Sequence, residues 1–286
     1  MKKKTVFRWL KVFLLLYGII GIAVYYLQDT LLFHPIPVDK QTDYHFTQPY
    51  REVNIPYNKE TNLNIIQFKS VNVNMPPHTG DTSSPAAAAD TPKGVVLYFH
   101  GNKENVRHYA GYAADFTRHG YEVWMLDYPG FGKSTGKFSE ENLYTYALVE
   151  YKLARSKWPP DHIILYGKSL GTAVAAQLAS VRDCRRLILE CPYYSMTSLA
   201  RRYLFLYPVG SILHYRFPTN EYLPAVTAPV TIFHGTSDWT VPYNNASSLK
   251  PLLKPRDEFI TIEGGAHNDL HEHSEFRQKL EAIMNN

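Results

Sequence analysis

From Gly94 onward the sequence alternates short, continuous apolar runs with helical stretches, and this alternation restricts the chain to very few folds. The runs are VVLYFH (95–100), YEVWMLDY (121–128), HIILYG (162–167), RLILEC (186–191), VTIFHG (230–235) and EFITIEG (258–264). Helix-like spacing fills 106–119, 139–158 and 171–180. Apolar β-rich runs without polar alternation predict strands buried on both faces. Helices between them predict βαβ units around a mostly parallel sheet. In such sheets the functional groups gather at the carboxyl ends of the strands. Two earlier runs, 51–56 and 63–71, predict an opening hairpin. The segment 75–93, rich in Pro, Ser, Thr, Asp and Ala, has too little apolar surface to bury and predicts a solvated insertion.

The 286 residues are enough for one continuous core. Hydrophobic residues at 45% and charged residues at 20% exclude disorder throughout. The net charge of +4 arises entirely within residues 1–30, where Lys2, Lys3, Lys4, Arg8 and Lys11 face only Asp29. The remainder is neutral, which removes the main electrostatic argument for a nucleic-acid partner. Cys184 and Cys191 are too few for a disulfide framework. Cys191 is expected to end a strand beginning near Arg186, and at about 3.3 Å per residue the two sulfurs fall too far apart to bond. Both read as small buried hydrophobes. Neither has Cys or His neighbours at zinc-ligand spacing, so no metal is expected.

Val12 to Leu27 is an uninterrupted apolar run of 16 residues. As a helix it is about 24 Å long, and Trp9, Leu10 and a snorkelling Lys11 extend it towards a full span of about 30 Å. Trp9, Tyr25 and Tyr26 stand where interfacial aromatics belong. All five basic residues precede the run, so a transmembrane helix here predicts a cytoplasmic N-terminus and a catalytic domain on the extracytoplasmic side. A cleaved signal peptide shares the basic start, but the Tyr-Tyr-Leu-Gln-Asp that ends the run lacks small residues for a cleavage site. The expected organisation is a membrane anchor at 1–30 and a catalytic domain at 31–286.

The strongest chemical motif is Gly167-Lys168-Ser169-Leu170-Gly171, a G-x-S-x-G between a predicted strand and a predicted helix. A serine on so tight a turn projects its hydroxyl above the sheet, and flanking glycines let the chain pass without collision. A serine nucleophile needs a base. His267, in GGAHND (264–269), follows the last predicted strand, whereas His271 and His273 read as a solvated helix face. An acid must orient the imidazole. Asp238, in HGTSDWTVP (234–242), follows a strand directly, and Glu190 is the substitute. The order Ser169, Asp238, His267 is that of one fold among those that use this triad. Two N–H donors for the tetrahedral oxyanion are expected from the backbones of Leu170 and Asn102. His100 reads as a residue that shapes the Asn102 loop.

With HGN (100–102), DYPGFGKS (127–134), GKSLG (167–171), HGTSDWTVP and GGAHND in hand, the chain resembles the α/β-hydrolase superfamily from about Arg51 to its end. It looks most similar to the membrane-anchored α/β-hydrolase-domain serine hydrolases. The resemblance implies an α/β-hydrolase fold and cleavage of acyl esters or thioesters of lipid-like substrates through an acyl-enzyme, without a cofactor. Lys168, inside the elbow, is variable among such proteins. The same triad also suits a serine peptidase, an acyltransferase or, if silent, a membrane adaptor. Residues 192–223 follow the sixth core strand and are expected to form a lid. Its aromatics, Tyr193, Tyr194, Tyr203, Phe205, Tyr207, Tyr215 and Phe217, fit an acyl pocket, a bilayer contact or the lid's own core.

Overall fold

The computed structural model describes residues 3–71 and 91–285. The greater part of the 75–93 insertion, residues 75–90, lies outside the described residues. A single sheet of eight strands organises the chain: β1 (Tyr50–Pro56), β2 (Asn62–Phe68), β3 (Gly94–Phe99), β4 (Tyr121–Leu126), β5 (Ile163–Lys168), β6 (Arg186–Glu190), β7 (Val230–Gly235) and β8 (Glu258–Ile262). Their spatial order is β8-β7-β6-β5-β3-β4-β2-β1. Strands β3 to β8 pair in parallel, while β2 runs antiparallel to both β1 and β4. The hairpin at 51–71 is present, and its second strand stops at Phe68.

Strand pleating sorts the apolar runs into two layers. Val95, Leu97 and Phe99 of β3 and Ile163 and Leu165 of β5 face one side. There they meet α2 (Glu140–Arg155) and α3 (Leu170–Val181). Val96, Tyr98, Ile164 and Tyr166 face the other side, against the 106–117 segment and α5 (Ser274–Asn285). Every residue of β3, β5 and β7 is buried, which is why these strands read as continuous apolar runs. The predicted helix at 106–119 divides into short α-helical turns around a 3₁₀ turn at Ala110–Ala113. That turn contains Gly111, the weakest helix former of the stretch. Helix α2 starts at a Ser139 cap, whose Oγ accepts from the Asn142 N–H at 3.2 Å. It carries Glu140 and Glu141 in its first turn and Lys152 and Arg155 in its last, as its dipole favours.

Helix α1 (Lys3–Leu32) precedes the sheet, and among the described residues it is the one helix long and apolar enough to cross a membrane. Its end is built into the fold. Phe33 is buried, and the Asn102 side chain donates to the Leu32 carbonyl at 2.6 Å. Residues 192–223 follow β6 as short helical pieces, the longest being α4 (Met196–Arg201). Their aromatics divide: Tyr193, Tyr215 and Phe217 are buried, Tyr194 and Tyr207 are half-buried, and Tyr203 and Phe205 are exposed. Cys184 and Cys191 are both unbridged; Cys191 is buried, whereas Cys184 is only half-buried, because it precedes β6.

Candidate active site

The carboxyl ends of β3, β5, β7 and β8 lead to Asn102, Ser169, Asp238 and His267 respectively. Ser169 joins β5 to α3 with φ +51° and ψ −115°, a region non-glycine residues rarely occupy, and its N–H donates to the Glu190 carbonyl at 2.9 Å. The flanking glycines are there for space. A Cβ on Gly167 would lie 2.4 Å from the Gly171 oxygen, and one on Gly171 would lie 2.0 Å from the Phe99 oxygen. Larger residues would push α3 away from the ends of β3 and β5.

Ser169 Oγ lies 2.9 Å from His267 Nε2, and His267 Nδ1 lies 2.7 Å from Asp238 Oδ2. Asp238 is fixed from its other oxygen, which accepts the Thr240 and Val241 N–H groups at 2.9 and 2.8 Å. Burial works to raise the Asp238 pKa, but His267 and the Val241 N–H outweigh it and hold the carboxyl below its ordinary range. With Nδ1–H donated to Asp238, the Nε2 lone pair is free to take the serine proton. His234 stands behind this pair, 3.6 Å from Asp238 Oδ2, with its Nε2 donating to the Val241 carbonyl at 2.9 Å. Burial lowers its pKa, which favours the neutral ring. Its strand position made His234 read only as part of an apolar run.

Glu190 does not take the acid's place beside His267. It is committed to a buried cluster on the other side of the elbow. The Lys168 ammonium is buried against Glu190 Oε1 and also lies 3.3 Å from the His267 carbonyl. Glu190 Oε2 accepts the Tyr166 hydroxyl and lies 3.0 Å from His271 Nε2, and His271 Nδ1 lies 2.7 Å from Asp115. His271 is therefore not on a solvated helix face, and only 14% of its side chain is exposed. The chain at Leu270–Glu272 is a 3₁₀ turn, which rotates His271 inward, while His273 stays at the rim beside Asp269. Lys168, silent by motif, ties the elbow to the backbone of the histidine loop.

Desolvation lowers the His271 pKa, but Glu190 and Asp115 outweigh it and raise it from 6.5 to about 9. This pairing contributes stability that is complete below about pH 6.5 and is lost as pH rises through about 9. Unfolding temperatures of the wild type should fall across that window, and the His271→Gln variant should lack this fall. Parallel curves for the two proteins would remove His271 as the cause.

The loop after β3 passes close to Ser169, where a Cβ on Gly101 would sit 3.7 Å from Ser169 Cβ. The Asn102 carbonyl accepts the His34 N–H at 2.9 Å, and its side chain holds Leu32, so the backbone of this loop is pinned to the end of α1. Among the described residues, neither the Asn102 nor the Leu170 N–H has a protein acceptor. His100 is fully buried against Tyr128, and its Nδ1 lies 2.8 Å from the Gly101 carbonyl. Burial pushes its pKa down to about 4, leaving a neutral ring that supports the loop. Donor atoms of Cys191, Asp238 and His267 lie within 4.8 Å of one another. The chemistry does not suit a metal. Burial holds the Cys191 thiol well above its ordinary pKa, whereas a metal needs the thiolate, and Asp238 and His267 are already paired.

A strained serine elbow beneath a histidine and a carboxylate, on a sheet of this strand order, defines an α/β-hydrolase, and the chain belongs to that superfamily. The family model for serine aminopeptidases, S33, matches residues 90–221, which include Ser169 but not Asp238 or His267. The α/β-hydrolase domain-containing protein aho-3 of Caenorhabditis elegans is 30% identical over 193 residues, covering 66% of this chain and 57% of that protein. Protein 17C of the same description from Xenopus tropicalis is also 30% identical, with 66% and 61% covered. The chain thus spans about 60% of the length of these curated relatives. Among solved structures, an esterase of Pyrococcus furiosus superposes with a TM-score of 0.66 at 14% identity, covering 88% of this chain and 96% of that one. The 2,6-dihydroxy-pseudo-oxynicotine hydrolase gives 0.61 at 15% identity, with 84% and 68% covered. At such identities the likeness concerns the fold.

Proposed function

We propose that this chain is a serine hydrolase that cleaves carboxylic ester or thioester bonds of acyl or lipid-like substrates through an acyl-enzyme. The observation that carries this reading is the unbroken chain from Ser169 Oγ through His267 to Asp238, at 2.9 and 2.7 Å. Ser169 Oγ attacks the acyl carbon while His267 Nε2 takes its proton, and the backbone N–H groups of Leu170 and Asn102 receive the oxyanion. The intermediate collapses as the bond to the leaving oxygen or sulfur breaks, and His267 returns the proton to that atom. Water, deprotonated by His267, then attacks the acyl-serine and releases the acid. Asp238 holds the imidazole in the required tautomer and stabilises its charged form.

Helix α1 serves as a membrane anchor, with the basic residues before its apolar run on the cytoplasmic side and residues 31–286 forming the catalytic domain on the other. The internal contacts of its last turn, through Gln28, Leu32 and Phe33, support an anchor that is retained and not removed. The description of the matched family favours one competing activity, aminopeptidase cleavage, with the same three residues.

Graded acyl esters, acyl thioesters and aminoacyl amides, offered to the full-length protein in membranes, separate the two activities. Turnover of esters or thioesters with little or none of the amides is expected. Preferential cleavage of the aminoacyl amides would overturn the proposed substrate class while leaving the triad in place.

A further inference from the structure

We propose that the tip of the 192–223 lid, Tyr203, Phe205 and Leu206, is a membrane-docking surface that enters the lipid beside α1. It rests on the reading of α1 as an anchor and extends it: anchor and lid enter the bilayer as one unit. The three side chains are 62%, 76% and 56% exposed, an apolar group at the tip of a segment whose other large apolar side chains are buried or half-buried.

The lid runs along the anchor instead of meeting only its end. Tyr207 stacks on Tyr17, with ring centroids 4.3 Å apart and planes inclined by 2°. The Tyr17 hydroxyl donates to the Leu206 carbonyl at 2.9 Å, and the Tyr207 hydroxyl donates to the Tyr17 carbonyl at 2.8 Å. Gly21 leaves the room for this stack, since a Cβ there would lie 3.1 Å from the Tyr207 ring. Further along α1, Gln28 donates to the Ile212 carbonyl and accepts the His214 N–H at 2.7 Å. Tyr17 and Gln28 are about 16 Å apart along the helix axis.

That geometry fixes depth. Tyr17 lies inside the apolar run of Val12–Leu27, about 15 Å from its carboxyl end. Any placement of this run in hydrocarbon carries Leu204–Tyr207 down with it. Part of the local bonding suits lipid, where backbone polar groups need internal partners. Tyr203 and Leu204 donate to the Ala200 carbonyl, Tyr207 donates to the Leu204 carbonyl, and the two tyrosine hydroxyls cover carbonyls across the contact. Arg201 and Arg202, both exposed, immediately precede the tip. Guanidinium groups beside an apolar wedge match the phosphates of anionic headgroups above hydrocarbon. At the root of the same segment, the Tyr193 hydroxyl donates to the Leu170 carbonyl at 3.4 Å, next to the nucleophile. A lid held in lipid therefore faces the elbow towards the membrane, the phase in which acyl substrates are dissolved.

The test uses full-length protein in a Cys184→Ser background, reconstituted in vesicles of neutral and anionic phospholipid. An environment-sensitive fluorophore is attached at Phe205→Cys, at Leu14→Cys in the anchor, or at the exposed Lys59→Cys. The expected result is quenching by acyl-chain nitroxide lipids and loss of aqueous iodide quenching at positions 205 and 14, with the reverse at 59. Lipid quenching at 14 with iodide quenching at 205 overturns the proposal and leaves the anchor intact. Iodide quenching at both overturns the anchor reading and this proposal with it. Protection at 205 without lipid quenching, growing with protein density, overturns it in favour of a second copy of the chain. No turnover is needed for the readout, so its failure is distinct from failure of the hydrolase reading.

Discussion

Turnover of an acyl ester falls about 10⁴-fold or more when His267 is replaced by alanine. The geometry explains the size of the loss. Among the described residues, the Ser169 hydroxyl has one base within hydrogen-bonding distance, His267 Nε2 at 2.9 Å, and the same atom must later protonate the leaving group. Removing it disables both proton transfers. Asp238→Asn should lose activity on a similar scale by a different route, because an amide at 2.7 Å from Nδ1 can impose the wrong tautomer. The double variant should be scarcely worse than the His267→Ala variant alone, since the residues act as a unit. Single-turnover acylation rates measure all three. Losses that multiply in the double variant would mean that the two residues act independently, contrary to the hydrogen-bond chain.

The second large effect concerns stability. Glu190→Gln leaves the buried Lys168 ammonium without its counter-charge and the His271 ring with Asp115 alone, and breaking a buried pair in this way costs about 3–5 kcal/mol. The Lys168 pKa is set by opposing influences: desolvation lowers it, but Glu190 outweighs this and holds the amine charged. Lys168→Met combined with Glu190→Gln should therefore be less destabilised than the sum of the two single variants. Urea unfolding of the four proteins measures the difference as a double-mutant cycle. Additive losses would show that Lys168 and Glu190 contribute to stability separately. Because Lys168 also reaches the His267 carbonyl, the same variants should acylate more slowly even where they remain folded.

The parts of the fold that were legible in the sequence are those governed by local pattern. The apolar runs at 95–100, 162–167 and 230–235 became strands buried along their whole length, because burial on both faces leaves no polar position to interrupt them. Ser169, Asp238 and His267 each follow a strand in the sequence, and the structure brings their side chains together. The pairing order of the strands was not legible, since it depends on contacts between distant segments. The surroundings of Lys168 and His271 were not legible for a related reason. A histidine three residues before the last helix reads as solvated, and a lysine in a glycine-bounded turn has no assigned partner, until the sheet places Glu190 between them. The lid aromatics show the same limit. Composition cannot separate the buried Tyr215 and Phe217 from the exposed Tyr203 and Phe205, because the division follows from packing against distant residues: Tyr215 meets Phe33 and Phe138, and Phe217 meets Tyr144.

The proposed hydrolase activity requires Ser169 to be an activated nucleophile. Labelling of the full-length protein by a fluorophosphonate probe, wild type against Ser169→Ala, tests this. The expected result is a labelled wild type and an unlabelled, equally folded variant. Folded wild type that takes no label, or a variant that labels as well as wild type, would contradict it.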